Sequence, residues 1–271
     1  MIKVENLLFN YGKKKVFDHF QLNLSGGSIY GILGPNGVGK TTLFQLLSGL
    51  TFPNDGRVIV NGHVPKKREE GFYQKMVYLP EDLTTPTVSP YQYVKLLGPM
   101  YPNYDEQIFL TYSERFGIDY NQVFNTMSAG VLRKAWLAVV LSYQTPLLML
   151  DEPSKAMDIE GQRLLRKMLL EIQAEGRTIV LSTHHLREME QLFDHVTIMN
   201  ETGHVVLSQP VDTLTQDFRT EWIDVKPTST AVISYERSSR GYLALFKEPS
   251  DSGSDIPLEL IYNGLTKRKE V

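Results

Sequence analysis

The stretch that decides the fold is Gly34-Pro35-Asn36-Gly37-Val38-Gly39-Lys40-Thr41-Thr42, which fits the pattern G-x-x-x-x-G-K-[ST]. Its glycines let the backbone curl so that successive N–H groups point at phosphate oxygens. A helix starting directly after such a loop adds the positive end of its dipole. Lys40 is then placed to reach the β- and γ-phosphates of a nucleotide, and Thr41 to offer its hydroxyl to Mg²⁺. The flanks suit this chemistry: residues 28–33 read as a strand entering the loop, and a helical pattern follows it.

Working outward, residues 2–8, 16–24, 57–61 and 75–79 read as further strands. Residues 90–120 turn helical. Residues 131–144 form a clearer helix, with Leu132, Trp136, Val139, Val140 and Tyr143 on one stripe and Arg133 and Lys134 facing away. Two continuous apolar runs, 146–150 and 178–181, flank a charged helix over 159–174. Buried runs that alternate with helices are the pattern of a parallel sheet, so the fold class is α/β. Residues 195–207 read as a hairpin turning at Asn200-Glu201-Thr202-Gly203. Near Gln216 the composition changes. The tail offers two short strands, 231–235 and 242–246, a polar linker over 250–255, and an amphipathic helix carrying Leu258, Ile261, Tyr262 and Leu265.

The second chemical feature is Asp151-Glu152-Pro153, closing the run Leu147-Leu148-Met149-Leu150. Alone, an Asp and a Pro after a strand read as a helix start. Beside a phosphate loop, Asp151 can hold Mg²⁺ through water and Glu152 can take a proton from an attacking water.

Composition narrows the classes. The 271 residues, at roughly 150 per domain, suggest one large domain with an appendage. The absence of cysteine excludes disulfides, thiolate metal sites and a thiol nucleophile. Twenty-eight Lys and Arg against 31 Asp and Glu give a net charge of −3, no global electrostatic case for nucleic acid or anionic lipid. Residues 78–120 hold 7 of the 14 tyrosines, but with six acidic and two basic residues the segment repels phosphate backbones. These rings are expected to fill a helical lid or dock a partner helix. The clusters Lys13–Lys15, Lys66–Arg68 and Lys267–Lys269 are expected as solvated turns and tail. No secretory signal pattern opens the chain, and no run approaches the ~20 apolar residues of a membrane span. The expectation is a soluble, cytoplasmic chain.

Taken together, these residues resemble the ATP-binding subunit of an ABC transporter, over about residues 1–212. The resemblance implies a P-loop NTPase core with a mostly parallel sheet, an N-terminal antiparallel β subdomain, a helical lid over about 82–145, and a small C-terminal α/β appendage over 213–271. Residues 34–42 match the family's Walker A loop, so Gly34, Pro35, Asn36, Gly37, Val38, Gly39, Lys40, Thr41 and Thr42 are expected around ATP. Residues 147–152 match Walker B, with Asp151 toward the metal and Glu152 as general base. Tyr11 sits where the family stacks an aromatic ring on adenine. Ala156-Met157-Asp158 matches the D-loop that touches a partner subunit. His184 falls 33 residues beyond Asp151, at the place of the switch histidine that contacts the γ-phosphate; His185 is its bland neighbour.

Two stretches depart from the pattern. Met127-Ser128-Ala129-Gly130-Val131 stands where Leu-Ser-Gly-Gly-Gln is usual: Ser128 and Gly130, matching the positions that meet the γ-phosphate, are kept, while Ala129 forfeits glycine's access to positive φ. Glu81, in Tyr78-Leu79-Pro80-Glu81, stands where glutamine usually binds Mg²⁺ and senses the membrane partner; a glutamate still offers oxygen to the metal. The resemblance further implies ATP and Mg²⁺ as cofactors, and a second ATP-binding subunit, the same chain or a homologous one, with two ATP molecules sandwiched between them. It also implies a separate polytopic permease, no nucleic-acid partner, and a peripheral position on the inner face of the cell membrane. The lid segment most resembles exporter-type cassettes. An ABC-type ATPase serving a soluble assembly machine is the alternative. A P-loop kinase has no reason to carry the signature, D-loop and switch histidine together.

Overall fold

The computed structural model describes residues 1–184, 186–250 and 256–266; His185, most of the expected linker and the Lys267–Lys269 cluster lie outside the described residues. The chain opens with β1 (Ile2–Tyr11), β2 (Lys14–Leu24) and β3 (Ile29–Leu33). Helix α1 (Lys40–Leu47), β4 (Asp55–Val60), α2 (Glu70–Tyr73) and β5 (Met76–Leu79) follow. Next come α3 (Pro90–Leu97), α4 (Glu106–Phe116), α5 (Ala129–Ser142), β6 (Leu147–Asp151), α6 (Ile159–Ala174) and β7 (Thr178–Ser182). The chain continues through α7 (Leu186–Met189), β8 (His195–Met199), β9 (Val205–Pro210), β10 (Arg219–Ile223), β11 (Val232–Ser238), β12 (Gly241–Phe246) and α8 (Leu258–Thr266).

These strands make three sheets: β2-β1-β4, antiparallel; β5-β6-β7-β3-β8-β9, parallel except for its last strand; and β10-β12-β11, antiparallel. The strand run 147–150 shows why continuous apolar sequence is needed at the centre. Side chains alternate across a strand, so Leu147 and Met149 join one hydrophobic cluster, under β1, β2, β4 and α1. Leu148 and Leu150 join the other, under α4, α5, α6 and the tail.

Helix α5 differs from its expected amphipathic stripe. Everything from Ala135 to Ser142 is buried, because the helix is covered on all sides; a helix enclosed in this way is apolar around its whole circumference. Arg133, expected to face away, is only 4% exposed. Its guanidinium donates to the Pro80 and Glu81 carbonyls at 3.1 and 2.5 Å. Lys134 pairs with Asp158 at 3.1 Å. The tyrosines of the lid fill its interior as expected. Tyr101 stacks on Tyr143 at 4.0 Å, and Tyr93 meets Trp136 edge-on at 4.9 Å.

The tail holds three strands where the pattern indicated two. Strand β10 is half exposed and mixes Arg, Thr and Glu with Trp222 and Ile223, too little apolar content to stand out from a polar connection. Leu214, Phe218, Leu245, Ile256, Leu258, Leu260 and Ile261 join the same hydrophobic cluster as one face of the parallel sheet. Arg187 on α7 pairs with Glu236 of β11 and Glu259 of α8, tying the tail to the segment just after His184.

Candidate active site

The carboxyl ends of β3, β6 and β7 lie side by side in the parallel sheet, so the loops that leave them converge. There a cavity of about 380 Å³ is lined by Tyr11, Asn36, Gly37, Gly39, Lys40, Thr41, Thr42, Glu81, Asp151, Glu152 and His184. Lys14 and Val16 complete the lining. Of the other residues expected around ATP, Gly34 and Pro35 offer their carbonyls to the Lys40 ammonium at 2.7 and 3.1 Å. Val38 turns into the core. Ser128 and Gly130 do not line this cavity; they open α5.

The phosphate loop has the backbone its glycines require. Gly39 caps α1 with φ 116°, and a Cβ there would lie 2.8 Å from Val16. That combination excludes any other residue. Burial pulls the Lys40 ammonium below the usual lysine range, opposed by the charges of Glu152, Asp151 and Glu81.

Asp151 is held from three directions. Thr41 Oγ1 donates to Oδ2 at 2.6 Å, Ser182 Oγ donates to Oδ1, and Tyr78 Oη reaches Oδ2 at 3.4 Å. Burial, then the neighbouring Asp151 carboxylate, pushes the Tyr78 phenol up, so it stays a donor. The Ser182 contact follows from register, since Asp151 and Ser182 are paired across β6 and β7. The oxygen-only set of Thr41, Asp151 and Glu81 suits a hard divalent cation. Among the described residues no group of three or more His, Cys, Asp or Glu could hold a metal ion by itself.

Glu152 is 3% exposed and sits at φ 49°, a left-handed conformation that costs a non-glycine residue roughly 1–2 kcal/mol. It is held there by its N–H, which donates to the Ser182 carbonyl, and by His184, whose Nδ1 lies 2.7 Å from Oε1. A carboxylate only accepts, so that ring nitrogen carries the hydrogen. Strain of this kind, over-determined by its surroundings, accumulates where chemistry is done.

The Tyr11 ring stands at the cavity, 50% exposed, edge-on to Phe9 at 4.8 Å, with its hydroxyl on Gln45. Lys14, expected as part of a solvated turn, is its cross-strand partner and so comes to the same cavity. The hairpin register carries that signal: placing Tyr11 at the cavity places Lys14 there too.

At the start of α5, Ser128 caps the helix by accepting from the Val131 N–H at 3.5 Å. Ala129 is not among the residues with positive φ, so replacing glycine there costs no backbone strain. Gly130 does carry a constraint, since a Cβ would lie 2.8 Å from the Ala156 carbonyl oxygen.

Glu81 Oε1 pairs with Lys155 Nζ at 2.6 Å, and this hydrogen bond holds the carboxyl below the usual glutamate range. Sequence reasoning passed over Ser182, Tyr78, Arg133 and Lys155. Only register could have found Ser182, and nothing local marks the other three.

A family model described as ABC transporter matches residues 17–155. The lantibiotic transport ATP-binding protein SrtF of Streptococcus pyogenes is 30% identical over 215 residues, covering 78% of this chain and 92% of that protein. The bacitracin transport ATP-binding protein BcrA of Enterococcus faecalis is 32% identical over 213 residues, covering 76% of this chain and 68% of that protein. Among solved structures, the dimeric post-hydrolysis ATP-binding cassette MJ0796, bound to ADP and Pi, superposes with a TM-score of 0.66 at 19% identity, covering 78% of this chain and 98% of that one. At that identity the likeness is one of fold.

Proposed function

The chain belongs to the ABC transporter family as an ATP-binding, ATP-hydrolysing subunit, and from that premise we propose the following division of labour among its residues. Lys40 and the N–H groups of residues 36–42 cradle the β- and γ-phosphates. Tyr11 lies against the base, with Lys14 beside it. Thr41, Asp151 and Glu81 hold Mg²⁺, which when bound draws charge from the β- and γ-phosphate oxygens. Glu152 orients the attacking water and takes its proton. The water oxygen bonds to the γ-phosphorus as the bond to the bridging oxygen of ADP breaks. His184 keeps the Glu152 carboxylate aimed and meets the γ-phosphate. The observation that carries this reading is the convergence of Lys40, Thr41, Asp151, Glu152 and His184 on one cavity at the sheet's carboxyl edge.

Proteins of this family work as dimers of ATP-binding subunits beside membrane-spanning permeases. Ser128 and Gly130 stand outside the chain's own cavity, so we assign them to the γ-phosphate bound by the partner subunit, across a two-ATP sandwich. The signature then gains its anion only when ATP is present, and hydrolysis lets the dimer part. Residues 1–212 form the catalytic unit, and β11 and α8 of the tail buttress α7. No helix among the described residues is long and apolar enough to cross a membrane; the chain acts at the membrane through its permease. The transport ATP-binding relatives named for a lantibiotic and for bacitracin favour export of an antibiotic-like peptide.

The test is detergent co-purification from the native membrane. A polytopic membrane protein that stimulates the chain's ATPase activity is the expected result. ATPase activity that fractionates only with a soluble complex would favour the assembly-machine alternative.

A further inference from the structure

Three carboxylates, Glu81, Asp151 and Glu152, line the cavity assigned above to ATP, itself a polyanion. Asp151 is held by Thr41 of the lining and by Ser182 and Tyr78, which do not line it, and Glu152 by His184 of the lining. The third is answered from outside. Lys155 is not part of the lining, yet its ammonium lies 2.6 Å from Glu81 Oε1. It reaches there from the turn after β6, where its N–H donates to the Glu152 carbonyl at 3.1 Å.

This pair closes a circuit of three elements. From α5, Arg133 grips the Pro80 and Glu81 carbonyls, fixing the backbone that carries the Glu81 side chain. Also from α5, Gly130 lies against the Ala156 carbonyl and Lys134 pairs with Asp158, fixing the turn that carries Lys155. Lys155 and Glu81 join the two remaining ends. Arg133 and His184 act on the Glu81 charge only through space, after Lys155, whose ammonium makes the contact ion pair.

We propose that Lys155 is a positioning residue for ATP binding: it draws the Glu81 carboxylate toward the β6 turn and neutralises it, so that the triphosphate enters without facing an uncompensated third carboxylate. The inference rests on the assignment of this cavity to ATP. It adds a residue that the phosphate loop and strand motifs do not contain. Both side chains are partly exposed, at 46% and 35%, so solvent screens the effect and its size is modest.

The experiment is a double-mutant cycle on the purified full-length chain. ATP affinity is read by calorimetry in EDTA and, with Mg²⁺, as KM and kcat. Lys155→Ala weakens ATP binding about three- to tenfold at low salt, and raises KM more than it lowers kcat. The loss shrinks as ionic strength rises. In EDTA, where no metal needs the Glu81 oxygen, Glu81→Gln placed in the Lys155→Ala background restores affinity to within about twofold of the parent, and Lys155→Arg keeps it throughout. Unchanged affinity in Lys155→Ala, or an equal loss whether position 81 is Glu or Gln, would overturn the proposal. Lys40→Ala serves as the control. A parent chain that binds ATP no better than Lys40→Ala refutes the ATP site itself, whereas a normal control with silent Lys155 variants refutes only the role of Lys155.

Discussion

The edge of the sheet that holds Lys40, Asp151 and Glu152 and the circuit that joins α5, Glu81 and Lys155 are both charged and both border one cavity, yet they are built differently. At the first, position follows from chain continuity and register. Lys40 folds back onto carbonyls five and six residues earlier, and Asp151 meets Ser182 because β6 and β7 are paired neighbours. In the second, no link is local: Arg133 reaches back 52 and 53 residues, and Lys155 reaches back 74. The first region is buried and is the one proposed to do the chemistry. The second is more exposed and sets where the first region's neighbours stand. A backbone-built site should fail outright when a member is removed, and a side-chain-built circuit should lose function in steps.

The largest expected effect breaks the first region. Lys40→Ala removes the one buried ammonium of the phosphate loop and should cut ATP turnover by at least about a hundredfold, measured as phosphate release by the purified chain. An intermediate effect belongs to the second region. Arg133→Met keeps the volume but leaves the Pro80 and Glu81 carbonyls without their donor. It should lower unfolding stability by about 2 kcal/mol, seen as a fall of roughly 5 °C in calorimetric Tm. The ATPase rate should fall far less than in Lys40→Ala. A Tm drop without any shift in KM would show that Arg133 supports only the fold and not the placement of Glu81. The smallest effect tests whether the tail belongs to either region. Arg187 pairs with Glu236 and Glu259 at the partly exposed surface, where such pairs contribute little. Arg187→Ala should leave Tm within error and the ATPase rate of the isolated chain unchanged; a marked loss of rate would mean that the tail governs His184.

The same contrast explains what could be read from the sequence. The phosphate loop, the Asp151-Glu152 pair and the position of His184 are legible because each is a contiguous pattern at the end of an apolar run. The parallel sheet is legible for the same reason, since a strand buried on both faces cannot hide its composition. Arg133 reads as a solvent-facing residue because its neighbours set an amphipathic period, and only a tertiary partner accounts for a buried guanidinium. Lys155 passes unnoticed, because nothing near it in sequence announces Glu81. Strand β10 escapes notice since half exposure permits Arg, Thr and Glu among its few apolar positions.

Glu152, strained and buried beside His184, is proposed as the general base of an ATP hydrolase that works as a dimer. The most direct measurement is Glu152→Gln, followed by ATP turnover and by light scattering on a sizing column with and without ATP. Turnover should fall by about two to four orders of magnitude, while ATP binding persists and ATP shifts the chain from monomer to a stable dimer. A Glu152→Gln chain that hydrolyses ATP at the parent rate and stays monomeric with ATP bound would rule out that role for Glu152.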